Sequence, residues 1–160
     1  MQVHLLRHGT AEDIQAGSSD FARKLTPAGR EEVRHAIERA RPAIAPTLIL
    51  SSPFTRALET AGIAAEVVDY KGNIVRTEAL EPTAPPHQVW QEIRSRPDES
   101  QILLAGHEPL LSQLTAYLLN CPTLHLDMRK AMLVRIDIDG FAGKPCGLLK
   151  WVLPPDLQDR

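Results

Sequence analysis

The chain has 160 residues and a mass of 17.7 kDa, is 43% hydrophobic and 24% charged, and sets 18 Lys and Arg against 20 Asp and Glu for a formal charge of −2. That length buries a core without metals or disulfides and leaves little for a second domain, so a single domain over residues 1–160 is expected, with a loose tail after about residue 154. A pI of about 6.3 and only 2 Trp, 2 Tyr and 3 Phe argue against a nucleic-acid partner, which calls for a basic stripe or stacking aromatics.

Cys121 and Cys146 lack the C-x-x-C spacing of a redox or metal motif and are too few for a disulfide framework. The start, MQVHLLRHG, has no basic stretch leading into an apolar run, and no run of about 18 apolar residues occurs anywhere. A cytoplasmic protein without membrane association is expected.

Val3 to Leu6 is an apolar run stopped by Arg7-His8-Gly9, the pattern of a buried strand ending in a turn. Residues 9–24 show no periodicity and read as a surface loop. Thr26 then caps a helix with Pro27 in its first turn, and Val33, Ala36, Ile37 and Ala40 form its apolar stripe until Pro42. Pro46 to Ser51 contains a second buried strand, followed by Ser52-Pro53 and a helix through TRALETAGIAAEVV. Ile74 to Thr77 is a short third strand, and residues 81–86 form a Pro-rich loop before a helix with Val89, Trp90 and Ile93 on one side. Gln101 to Ala105 is a strand stopped by Gly106-His107, with a helix starting at Pro109. Met132–Ile138 and Gly147–Leu153 pair as two terminal strands. This alternation predicts an α/β fold, a three-layer α/β/α sandwich on a largely parallel central sheet.

Three positions follow directly on predicted strands: Arg7-His8, Arg56 and His107. In open α/β sheets the crevice outside the carboxyl ends of the strands is the ligand site, so residues about 50 apart in sequence can meet there. Two arginines, two histidines and the helix starts near 53 and 109 make an anion pocket. A phosphoryl group suits it, because guanidinium forks bind its oxygens and helix ends offer free N–H groups. Asp20 and Arg23 either tie down the loop over that pocket, or Arg23 and Lys24 meet an anionic substrate. His4 and His8 are four apart on a strand rather than a helix, so no metal pair is expected. His35 and His125 are read as surface residues, and Trp90 and Trp151 as packing residues.

Leu5–Glu12 (LLRHGTAE), Leu25–Gly29 (LTPAG), Ser51–Ala61 (SSPFTRALETA) and Ala105–Pro109 (AGHEP) together resemble the histidine phosphatase (phosphoglycerate mutase-like) superfamily. The short length and the Asp20-x-x-Arg23-x-Leu25-Thr26 run resemble its short SixA-like phosphohistidine phosphatase branch. The resemblance implies a phosphoglycerate mutase-like sandwich and a phosphatase working through a phosphohistidine intermediate on His8, with no metal or cofactor. It implies Arg7, Arg56 and His107 as holders of the phosphoryl oxygens, Thr10 and Arg23 as further substrate contacts, and Glu81, with Glu78 behind it, as the general acid. The expected partner is a phosphorylated protein of the histidine-containing phosphotransfer type, or a small phosphorylated molecule. The competing readings are a small-molecule phosphomonoesterase of the same superfamily and a non-catalytic module that binds phosphorylated ligands.

Overall fold

Burial on both faces explains why the central strands read as unbroken apolar runs. The computed structural model describes residues 1–14, 16–17, 19–141 and 143–155. Six strands, β1 (Gln2–Arg7), β2 (Leu48–Ser51), β3 (Ile74–Arg76), β4 (Gln101–Gly106), β5 (Leu133–Asp137) and β6 (Leu148–Leu153), form one sheet in the order β3-β2-β4-β1-β5-β6. The first four of that order are parallel to their neighbours, while β5 runs antiparallel to β1 and β6 antiparallel to β5.

Four helices cover the two faces. α1 (Pro27–Ala40) and α2 (Thr55–Val67) pack on one side, where Val33, Ile37 and Ala64 meet Leu6, Ile49 and Leu103. α3 (Pro86–Arg94) and α4 (Leu110–Leu118) pack on the other, where Trp90, Ile93 and Leu114 meet Leu5, Leu50 and Leu104. The period of two along each strand sends Leu5 and Leu6 to opposite layers. Each fully buried Leu or Ile contributes about 1.5–3 kcal/mol of transfer free energy. The layering is the expected α/β/α sandwich on a largely parallel sheet.

Local signals held where they rested on caps. Thr26 Oγ1 accepts the Gly29 N–H at 2.9 Å at the start of α1. Past Ala40 the chain continues as a short 3₁₀ turn, Arg41–Ala43, which accommodates Pro42. α4 begins one residue after the expected Pro109, which occupies its N-cap position. The loop over residues 9–24 is largely exposed, as expected, and carries local order that the sequence does not signal. Ala11 and Leu25 form an antiparallel bridge that closes its base, and Asp20–Ala22 make a 3₁₀ turn capped by the Ser19 side chain, which accepts the Phe21 N–H at 3.2 Å. Most of the tail expected to be loose lies outside the described residues. Among those described, no helix is long and apolar enough to cross a membrane.

Candidate active site

The strand order sets the site. β2, β4 and β1 lie side by side at the centre of the sheet with their carboxyl ends together. The residues that leave these ends are Ser51-Ser52, Gly106-His107 and Arg7-His8. Register reinforces the meeting: Arg7 pairs with Gly106, the His8 N–H donates to Gly106 O at 3.1 Å, and the Ser52 N–H donates to Ala105 O at 3.0 Å. His8 and His107 therefore stand next to each other, ring centroids 5.0 Å apart, both buried. Arg56, in the first turn of α2, is buried too and donates from Nε to His8 Nε2 at 3.3 Å.

The hydrogen bonds assign the His8 tautomer. Nδ1–H donates to the Gly9 carbonyl at 2.7 Å, which leaves the lone pair on Nε2, where it accepts from Arg56 Nε. A neutral imidazole with a free lone pair on one nitrogen can serve as a nucleophile. A histidine ordinarily titrates near 6.5, and its surroundings in the fold lower His8 to about 4. Burial is the main cause, and Arg56 and Arg7 act in the same direction against the Gly9 hydrogen bond. His107 is lowered further by burial and by its neighbours His8 and Arg56. Both rings are thus neutral at pH 7.

Two buried nitrogens at the site have no hydrogen-bond partner among the described residues: Arg7 Nε and His107 Nδ1. His107 Nε2 lies 2.8 Å from Ser52 Oγ, and Arg7 Nη1 donates to Met128 O at 2.6 Å, so both side chains are anchored by their other atoms. Buried polar groups left unpaired are costly unless a ligand satisfies them.

Arg56 has a partner the sequence did not suggest. Its Nη1 donates to Asp20 O at 2.8 Å, and its Nη2 pairs with the Asp20 carboxylate at 3.1 Å. Asp20 is also held by Arg23 at 2.8 Å, and that bond, with those of Arg56 behind it, keeps the carboxyl below its usual pKa. Arg23 Nε donates to Glu12 O. Of the two roles left open for Arg23, these contacts are those of a tie within the loop.

The remaining expected contacts make no hydrogen bond to His8, Arg56 or His107 among the described residues, and Thr10 shares a cavity wall with Arg7. The Thr10 hydroxyl donates to Glu32 at 2.9 Å, and its N–H donates to the same carboxylate. Glu81 ends the 3₁₀ turn after β3, and no hydrogen bond or ion pair among the described residues joins it to His8, Arg56 or His107. Glu78 lies in a different hollow with Arg76 and Glu92. Beside Arg7 is a cavity of about 280 Å³ with Arg129, Lys130, Glu32 and Asp127 in its wall. The sequence signal for it was the charged run Asp127–Lys130 just before β5, passed over because only the fold carries it back to the end of β1. A separate cavity of about 910 Å³ between α4 and residues 120–127 contains none of the histidines or arginines of the cluster.

The family model of the histidine phosphatase superfamily (branch 1) matches residues 3–81. Comparison with curated protein sequences gives no significant match. Among solved structures, the protein histidine phosphatase SixA complexed with tungstate aligns with a TM-score of 0.85 at 26% identity, covering 97% of each chain. A structure from Agrobacterium tumefaciens assigned as the phosphohistidine phosphatase SixA aligns at 0.79 with 22% identity, over 96% of this chain and 98% of that one. One from Escherichia coli assigned as an α-ribazole-5′-P phosphatase aligns at 0.78 with 17% identity, over 99% and 100%. At identities this low the last two speak for the fold.

Proposed function

We propose, from the membership of this chain in the histidine phosphatase superfamily, that it is a phosphatase in which His8 Nε2 accepts the phosphoryl group, and that its substrate is phosphohistidine on a protein. The observation that carries the reading is the pair of buried, unpartnered nitrogens, Arg7 Nε and His107 Nδ1, in the cluster around a neutral His8 whose Nε2 is the unprotonated nitrogen. Similarity to a protein histidine phosphatase over nearly the whole chain supports the substrate class.

In the proposed first step the His8 Nε2 lone pair attacks phosphorus and the bond to the leaving group breaks. Nδ1–H stays on Gly9 O, which stabilises the positive charge that develops on the ring. Arg7, Arg56 and His107 take the equatorial oxygens; for His107 this needs Nδ1–H, with Nε2 accepting from the Ser52 hydroxyl. A phosphoimidazole protonated on its other nitrogen departs as neutral imidazole and requires no further proton. Water then attacks the phosphorus, the P–N bond breaks, its electron pair returns to His8 Nε2, and dihydrogen phosphate leaves. An alkoxide leaving group does require a proton, and Glu81 keeps its proposed role as general acid for that class alone.

Replacing His8 by Ala is expected to lower kcat for phosphate release by at least about 10³-fold, the scale on which loss of a nucleophile is felt. Brief exposure of the native protein to substrate followed by alkaline quench should trap a base-stable, acid-labile phosphoprotein that His8→Ala does not form. Full activity in the variant defeats the mechanism. Assay of a phosphohistidine protein beside phosphosugars and nucleotides ranks the substrate classes.

A further inference from the structure

Outside the phosphoryl-binding groups stands an aromatic wall that no step on His8 uses. The half-buried Phe54 presents its ring edge-on to His107, centroids 5.0 Å apart, and the Arg56 guanidinium lies 4.9 Å from the same ring. Phe21 packs on Phe54 at 4.9 Å while remaining 46% exposed. A single exposed phenyl on a loop is unremarked in most proteins. This one is held in place: Ser19 caps its turn, Asp20 bonds Arg56 through both its carbonyl and its carboxylate, and Arg23 ties Asp20 to the carbonyl of Glu12. The guanidinium proposed to hold a phosphoryl oxygen is the anchor for the residue next to Phe21.

In-line transfer places the leaving group across the phosphorus from His8 Nε2. Phe54 packs against both Arg56 and His107, and the exposed Phe21 packs on Phe54. We propose that Phe21, backed by Phe54, is the surface against which an aromatic leaving group packs, so that the site favours phosphoryl groups carried on a ring, the imidazole of phosphohistidine above all, over those carried on an alkyl or amino group. A flat ring gains from edge or offset stacking on two phenyls; a small aliphatic group has little surface to offer them. The inference rests on the reading of His8 as phosphoryl acceptor.

The test compares ring-bearing and ringless substrates within each bond type: phosphohistidine against phosphoramidate for P–N, and phenyl phosphate against methyl phosphate for P–O. The full chain, Phe21→Ala and Phe21→Tyr are assayed on all four. Taking kcat/KM as a ratio within each pair cancels changes in the amount of folded protein and in phosphoryl binding. Phe21→Ala is expected to lower the ring-to-ringless ratio about 2- to 10-fold, the range in which aromatic pairs contribute, and Phe21→Tyr to keep it near the native value. An unchanged ratio in Phe21→Ala, or a fall as large in Phe21→Tyr, overturns the proposal. Turnover retained by His8→Ala would instead overturn the nucleophile reading, so the two failures are separable.

Discussion

His8 shows how much of the proposed chemistry depends on one ring's surroundings. Its Nδ1 proton is committed to Gly9 O, and burial with two guanidinium neighbours lowers its pKa to about 4. The sign follows directly: protonation of Nε2 removes the nucleophile, so the inactive fraction of free enzyme grows only as pH falls toward 4, not through 6.5. An NMR titration of the imidazole should show His8 neutral from pH 7 down to about 5, and kcat/KM corrected for substrate ionisation should keep its acid midpoint below that of a free histidine. A His8 midpoint near 6.5 would mean that the ring is hydrated, so that neither burial nor the arginines act on it. Arg56 is neighbour to His8 and partner of Asp20 at once. A phosphoryl group that takes up its remaining N–H bonds arrives at a guanidinium already oriented, so less rotamer entropy is lost on binding.

At the scale of elements, the loop after β1 and the start of α1 are pressed together. A Cβ on Gly29 would stand 2.0 Å from Thr10 O, and one on Gly9 would stand 2.4 Å from Gly29 O. Backbone faces backbone here, so neither side can yield as a flexible side chain would. Gly29→Ala is expected to destabilise the protein by about 1–3 kcal/mol, as overpacking does, and to lower activity because the displaced segment holds Gly9 O against His8. Gly62 in α2 has open space at the corresponding position, and Gly62→Ala should raise stability by about 0.5–1 kcal/mol through helix propensity alone. Urea unfolding midpoints of both variants check the contrast. Equal midpoints would show that the close approach at Gly29 relaxes at no cost.

For the whole molecule, the buried histidines couple folding to pH. His4 sits in β1 beside Arg135 of β5, stacked on Trp151 at 5.7 Å, with neither ring nitrogen hydrogen-bonded. Burial first, and Arg135 second, lower its pKa to about 4. Its neutral form is favoured in the fold, so the unfolded chain binds more protons between pH 6.5 and 4. Stability is fully present above 6.5 and falls as pH drops through that window, by about 3 kcal/mol for this ring. His8 and His107 add losses of the same sign. His4→Phe, which keeps the stacking and removes the titration, should flatten the pH dependence of the unfolding free energy between pH 7 and 4 by about that amount. A variant with the slope of the native protein would place the coupling elsewhere.

The strands, the caps of α1 and the three-layer sandwich were legible in the sequence because each rests on short-range physics: period-two and helical apolar spacing, Thr26-Pro27 at a helix start, and glycine or histidine stopping a strand. The meeting of Arg7-His8, Arg56 and His107 was legible as well, since strand ends in an open α/β sheet converge by topology. Contacts made at a distance were not. Asp20 reaches Arg56 across 36 residues, Phe21 reaches Phe54 across 33, and Arg7 reaches the Met128 carbonyl across 121. No local pattern encodes which side chain of an aperiodic loop will face which pocket. The depressed pKa of His8 belongs to the same class, since residue type sets only the starting value and the assembled surroundings set the rest. Glu81 is implied as general acid by the family resemblance alone, and no hydrogen bond or ion pair among the described residues joins it to the cluster. The sequence alone was enough for the fold class and for the meeting of Arg7, His8, Arg56 and His107 at the strand ends. The tertiary structure decided the protonation of the histidines, the anchoring of the loop and the aromatic wall beside the pocket, because desolvation and packing exist only once distant segments exclude water together.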